Sequence, residues 1–344
     1  MYRQLIKDLL VPGLASRWIS SIASGMLGYG IPIFMLHRIY PDNLPGQNQT
    51  PAYLRKCLTY LKGNGYHFVS VAEIIQSVIH NTTLPDKSVA FTIDDGFHDQ
   101  ASLAAPIFIE FKCPATIFLI TDYLDGKLWP WFSQVQYMIE TTKVRAIEFG
   151  TTQEKTSYPL ASDKQKRYAI HAISELIKRI DWSRLDTTLA ALSNITEVEI
   201  PDDPPDHYKP MTWSLARKLE EQGIMFGPHT LTHPILSRVS DEQSHQEIAQ
   251  SWQRLKQELQ NPAPVFCYPN GDQSDYGQRE IEILKKTDML GAVSTIPMQY
   301  SPESTEVDIA YNLPRYGLPG YFTDFLMYCS WIEFAKEKIR KRLN

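Results

Sequence analysis

The stretch FTIDDGFHDQ, residues 91–100, places two acids and a glycine at the end of an apolar run. Val89, Phe91 and Ile93 alternate as strand residues do. Neighbouring side chains on a strand point to opposite faces. Asp94 and Asp95 can therefore approach one point only where the strand ends, and Gly96 permits the sharp turn that ends it. Acids so placed suit a division of labour, in which one carboxylate binds a cation and the other moves a proton. A plain Asp–Gly turn accounts for the same letters.

The surroundings favour strand ends as the place for chemistry. Strand-like apolar runs occur at 31–37, 88–94, 114–121, 223–227, 264–269 and 291–295, with helical patterns at 53–65, 72–80, 214–223 and 242–259. Such alternation predicts an α/β fold with a parallel sheet, open or closed into a barrel, whose chemistry gathers at the carboxyl ends of the strands. Residues 125–210 break the rhythm and read as a helical insertion laid over the core. It is either a lid or substrate wall, or a packed ornament with no catalytic part. Residues 1–30 read as a helical N-terminal extension, packed on the barrel or loosely ordered, with a surface-lying amphipathic helix over 2–27 as the alternative. Residues 319–344 read as one amphipathic helix with a rough stripe of Phe325, Cys329, Ile332, Ile339 and Leu343 and a basic end. That end packs on the domain or touches an anionic membrane.

Bulk properties narrow the partners. The 344 residues are 43% hydrophobic and 21% charged with net charge −5, an ordinary soluble composition. A mildly acidic chain argues against nucleic acid, whose phosphates need a basic surface. The four cysteines are far apart and form no CxxC pair, so they are expected as buried free thiols. No signal-peptide pattern and no uncharged apolar run of about 20 residues is evident. The expected location is the cytoplasm or a membrane surface. Nothing in the pattern speaks to oligomeric state.

FGPHTLTHP, residues 226–234, sets His229 and His233 four apart, again after a short strand. If the segment is helical, one turn brings both imidazoles to one face. Two histidines and one carboxylate make three ligands and leave positions open, the arrangement of a catalytic metal site. VFCYPNGD, residues 265–272, ends a third run in a loop whose backbone N–H groups could hold an oxyanion, though a strand followed by a turn explains it equally.

FTIDDG, HTLTHP and FCYPNG, in this order, resemble the first three motifs of the polysaccharide deacetylase (NodB-homology, carbohydrate esterase family 4) fold. The resemblance runs from about residue 32 to 316, and LWPWF and MTW are similar to flanking segments of exopolysaccharide-associated members. It implies a distorted (β/α)7-type barrel and a metal-dependent hydrolase that removes N- or O-acetyl groups from a polysaccharide or saccharide precursor. It further implies Asp94 as general base, Asp95 with His229 and His233 as metal ligands, and the Tyr268 backbone N–H as oxyanion donor. Zinc is the default ion for this ligand set, with cobalt, nickel, manganese or iron as substitutes.

Two departures from the family pattern matter. Most members carry a Leu-x-His motif late in the domain as general acid, and this chain has no histidine after His245. FMLHRI, residues 34–39, instead resembles a permuted subgroup that includes poly-N-acetylglucosamine deacetylases, and this makes His37 the expected acid. The family arginine of the third motif is also missing, and Arg315 in NLPRYGL is the substitute proposed to hold Asp94 ionised. The rival readings are an inactive carbohydrate-binding protein on the same fold and a non-haem iron oxygenase. The first would need neither paired Asp nor metal triad, and the second usually has an all-β scaffold with one His two residues from the acid.

Overall fold

Strand β3 (Ser88–Asp95) is buried along its whole length, as a parallel strand covered on both faces must be. In the computed structural model, which describes residues 2–15, 19, 23, 29–44, 48–150, 155–304 and 308–343, it is the middle of the barrel. It pairs in parallel with β1 (Ile33–Leu36) on one side and β4 (Thr116–Leu119) on the other. β4 continues to β7 (Met225–Pro228), and β1 continues to β10 (Tyr316–Gly317), again in parallel. The short β2 (His67–Phe68) adds to the start of β3.

β8 (Val265–Cys267) and β9 (Gly291–Val293) pair with each other, and a parallel bridge from Val293 to Leu313 leads on toward β10. The circuit of seven strands is thus complete except for a seam between β7 and β8. There the Ala263 N–H donates to Phe226 O at 2.7 Å, without a regular ladder between the two strands. Gly227 allows this close approach, since a Cβ there would fall 2.5 Å from the Val265 carbonyl oxygen. A distorted parallel α/β barrel is the result.

The helices form where local chemistry favours them. α1 (Tyr2–Leu14) precedes the barrel. α2 (Pro51–Gly63) starts with Pro at N1 behind the Thr50 cap, and α3 (Val71–His80) starts with a Ser70–Glu73 capping box. α4 (Ala105–Phe111) follows β3. α8 (Trp213–Glu220), α9 (Asp241–Glu258) and α10 (Gln278–Lys286) cover later strands. All four cysteines are buried and free.

Residues 125–210 contain α5 (Trp131–Thr141), α6 (Asp163–Ile177) and α7 (Leu185–Thr196). The insertion is helical as expected but also carries an antiparallel hairpin that its sequence did not announce, β5 (Ala146–Gly150) and β6 (Lys155–Pro159). Ile147 and Phe149 point inward and Glu148 outward, the period-two signal of a half-buried strand. The insertion has its own apolar core, which also takes Ile235 and Val239 from the barrel loops.

The C-terminal segment is likewise two helices, α11 (Phe322–Tyr328) and α12 (Trp331–Leu343), rather than one. The Gln299 side-chain amide donates to the carbonyls of Tyr328 (2.6 Å) and Ser330 (3.4 Å), and the Ser330 hydroxyl accepts from the Ile332 N–H at 3.4 Å. Those contacts end one helix and start the next. Of the expected stripe, Phe325 and Cys329 are buried while Ile339 is exposed, and the Leu343 side chain lies outside the description. The N-terminal reading over 2–27 falls partly on residues 16–18, 20–22 and 24–27, also outside it.

Candidate active site

Strand register brings the motifs together. Asp95 of β3 stands beside Leu119 of β4, and Leu119 stands beside Pro228 of β7. The residue after Pro228 is His229, whose N–H donates to Leu119 O at 2.9 Å. On the other flank, Leu36 pairs with Ile93, so His37 and Asp94 are the next residues on their two strands.

Asp95 faces both histidines. Its Oδ1 is 3.6 Å from His229 Nε2 and 3.8 Å from His233 Nε2, and all three side chains are buried. Ligands at about 2.1 Å from one tetrahedral ion would stand about 3.4 Å apart, so the donor set fits a cation with little adjustment. His229 Nδ1 lies 2.8 Å from the Cys267 carbonyl, to which it can only donate. That fixes the tautomer and leaves Nε2 bare toward Asp95. The same contact spans the seam between β7 and β8. Burial pushes the Asp95 carboxyl well up, with neighbouring Asp94 adding to it. Burial likewise pulls His229 down to about 4 and holds His233 well below its usual value. Neutral imidazoles are ready ligands, and a cation among them would remove the obstacle to an ionised Asp95.

The histidine segment is not helical, contrary to the conditional reading of its spacing. Thr230 and His233 adopt φ +67° and +63°, and the Thr230 hydroxyl accepts the His233 N–H at 2.9 Å. This tight turn still returns the second imidazole beside the first. Glu247 of α9 secures it by accepting from the N–H groups of Leu231 and Thr232 and the Thr232 hydroxyl, at 2.8, 3.0 and 2.6 Å. Asp95 and Asn270 also have positive φ, 89° and 59°. Three left-handed non-glycine residues, Asp95, His233 and Asn270, thus line one pocket, where backbone strain is commonly held for function.

Asp94 is partnered differently. Arg315 grips it with two parallel bonds of 2.8 and 2.9 Å, and spends its other donors on Thr92 Oγ1, Ser294 O and Cys267 Sγ. Both groups are buried. Burial opposes ionisation of Asp94, but the Arg315 charge, helped by His37 and His229, outweighs it and holds the carboxyl well below the usual range. Cys267, in the third motif, touches both partners.

His37 Nε2 is 3.9 Å from Asp94 Oδ2, with its ring edge open to solvent. Crowding by the protein lowers its pKa, Asp94 opposes that, and Arg315 and Lys178 reinforce it. Buried Gln100 steadies this side, donating to the His37 carbonyl at 2.6 Å and accepting from the Gly96 N–H at 3.1 Å.

Tyr268, the expected oxyanion donor, lines the pocket, and its N–H makes a long bond of 3.4 Å to Val293 O. Its ring stacks on Tyr276 at 3.7 Å and its hydroxyl donates to Tyr311 O at 3.0 Å. Two residues on, Asn270 also lines the pocket, and its side-chain amide nitrogen is buried without a partner among the described residues. The sequence reading missed Asn270, Gln100 and Glu247, and also Phe132, which meets the His233 ring edge-on at 5.0 Å. The advance signals were the turn-rich PNG after β8 and the LWPWF segment that carries Phe132.

Comparisons with known proteins agree with this geometry. Residues 81–290 match the family model described as polysaccharide deacetylase. A 72-residue stretch is 33% identical to the poly-beta-1,6-N-acetyl-D-glucosamine N-deacetylase of Escherichia coli (strain K12), covering 21% of this chain and 11% of that protein. The Streptococcus pyogenes deacetylase PplD, solved in complex with acetate, superposes with TM-score 0.56 at 18% identity, over 88% of this chain and 98% of that one. IcaB from Ammonifex degensii gives TM-score 0.56 at 16% identity, over 88% and 97%. At such identities the structures establish a shared fold.

Proposed function

This chain belongs to the polysaccharide deacetylase family, and we propose from that premise that it removes N-acetyl groups from a saccharide polymer or its precursor by a metal-dependent mechanism. It is a carbohydrate deacetylase by family. The observation that carries the finer reading is the contrast between two adjacent carboxylates. Asp95 faces two imidazoles, while Asp94 is locked to Arg315 and faces His37.

Asp95, His229 and His233 would hold a divalent cation, zinc first by donor chemistry, which polarises an acetyl carbonyl and eases deprotonation of water. Asp94, kept ionised by Arg315, takes the proton from the attacking water. The departing amine needs a proton, because an amide anion is too poor a leaving group. His37, with its ring edge open to solvent and Nε2 3.9 Å from Asp94 Oδ2, is placed to supply it. The Tyr268 N–H and the unpartnered Asn270 amide are the donors this loop offers to the developing oxyanion.

The test is acetate release from a panel of acetylated saccharides, with and without chelator. Release that chelation abolishes, zinc restores and Asp94→Asn removes is the expected result. Saccharide binding without release in the zinc-loaded protein would favour the inactive-binder reading.

Contact with a membrane surface through the termini is a second proposal. α1 presents Leu9 and Leu10 at 80% and 57% exposure. Lys7 pairs with Asp324 at 2.6 Å, which holds α1 against α11 beside the basic α12. Among the described residues no helix is long and apolar enough to cross a membrane, so contact would be peripheral. Flotation with anionic vesicles that weakens with salt, and fails for Leu9→Asp/Leu10→Asp, is the expected outcome.

A further inference from the structure

The catalytic pocket is too small for the substrate class proposed above. It encloses about 180 Å³, below the roughly 300–1,000 Å³ of sites that bury a whole small ligand. An acetamido group and part of one ring would fill it, leaving the rest of the saccharide outside. A groove of about 750 Å³ adjoins it, and Ser174 and Lys178 line both spaces. One wall of that groove is a single face of α6. Arg167, His171, Ser174 and Lys178 line it at spacings of four, three and four, the period of one helical stripe. The opposite face, with Ala169, Ile173 and Ile177, is buried in the insertion core. From Arg167 to Lys178 the stripe runs about 16 Å, longer than one sugar ring. The facing wall carries Tyr40 and His207, stacked with ring centroids 5.9 Å apart. It is tied to the catalytic strand end, because the Arg38 guanidinium next to His37 donates to the His207 carbonyl at 2.5 Å.

We infer that this groove is a chain-binding track. It holds the sugar residues next to the one being deacetylated, with the α6 stripe supplying hydrogen bonds and Tyr40 an aromatic surface. A polar helix stripe facing two stacked rings, with Glu140 and Glu175 as acceptors and only Leu44 and Ile170 as aliphatic lining, opens into the reaction pocket and suits a hydroxyl-rich chain rather than an acyl tail or a lone monosaccharide. The inference rests on the deacetylase reading and assigns the insertion a binding role.

The experiment measures kcat and KM for acetate release from β-linked N-acetylglucosamine oligomers of one to six residues, with 1→4 and 1→6 linkages tested separately. Wild-type KM should fall as the chain lengthens. Arg167→Ala/His171→Ala alters two exposed helix positions and should fold normally. It should raise KM for the hexamer about tenfold, keep kcat, and flatten the length dependence. Tyr40→Ala should act in the same direction. Wild-type indifference to chain length, or variants that shift all lengths equally or none, would overturn the track. If acetate leaves other acetylated saccharides but none of these oligomers, the track fails and the deacetylase stands. If no saccharide yields acetate, both fail.

Discussion

Arg315 is among the largest fully buried side chains of the molecule, and such a charge is tolerable in an interior only when answered. Arg315→Met would strand Asp94, and it should cost about 3–5 kcal/mol, read as a lower urea midpoint. Arg315→Lys keeps the charge but cannot reproduce the two-pronged grip. It should therefore lose less stability while still lowering kcat, because Asp94 is no longer aimed. At the neighbouring strand end, His37→Ala should cut turnover by about 10²–10⁴-fold with metal content unchanged by elemental analysis. Unchanged turnover would remove His37 from the mechanism. These partnerships were legible only in part. That Asp94 needed a cation was an argument from chemistry, and Arg315 was a proposal, since 221 residues separate the pair.

Within elements, the site depends on turns that other elements hold. α9 lies behind the histidine loop, and Glu247 makes three bonds to it. Burial raises the Glu247 pKa, opposed by the bonds from Thr232 and Leu231. Replacing it with alanine should weaken zinc affinity about 10–100-fold, measured by competition with a chromogenic chelator, while far-ultraviolet circular dichroism stays native. The four-residue histidine spacing was informative although its helical explanation was not. A tight left-handed turn and a helical turn both return residue i+4 near residue i, so the chemistry survived a wrong backbone. The hairpin of the insertion was missed because each strand has only five residues, too few for two-fold alternation to stand out among longer helical patterns.

Over the whole molecule, the insertion is joined to the barrel through Asp125. Its carboxylate accepts from the Trp213 indole at 2.8 Å and the Arg254 guanidinium at 2.9 Å. Burial opposes ionisation there, but these bonds, Arg254 first, bring its pKa down to about 2. A folded-state value below the unfolded one means the stabilisation is full above about pH 4 and fades as pH falls toward 2. Asp125→Asn should therefore cost about 1–2 kcal/mol at pH 7 and almost nothing near pH 2, by urea denaturation at both values. An equal deficit at both would show that the loss is one of packing. Closure of the barrel is the other property of this scale. It places β10 beside β1, so residues near opposite ends of the chain flank Asp94.

The sequence by itself determined the alternation of parallel strands and helices, the acid pair at a strand end and the spacing of the two histidines. These are periodicities and short-range turns, set by backbone geometry within a few residues. Only the tertiary structure decided which strand tips are neighbours. Register aligns Asp95 with the start of the histidine loop, and closure delivers Arg315 to Asp94. Lateral pairing depends on how the whole sheet curves and closes, and no local pattern of residues encodes that.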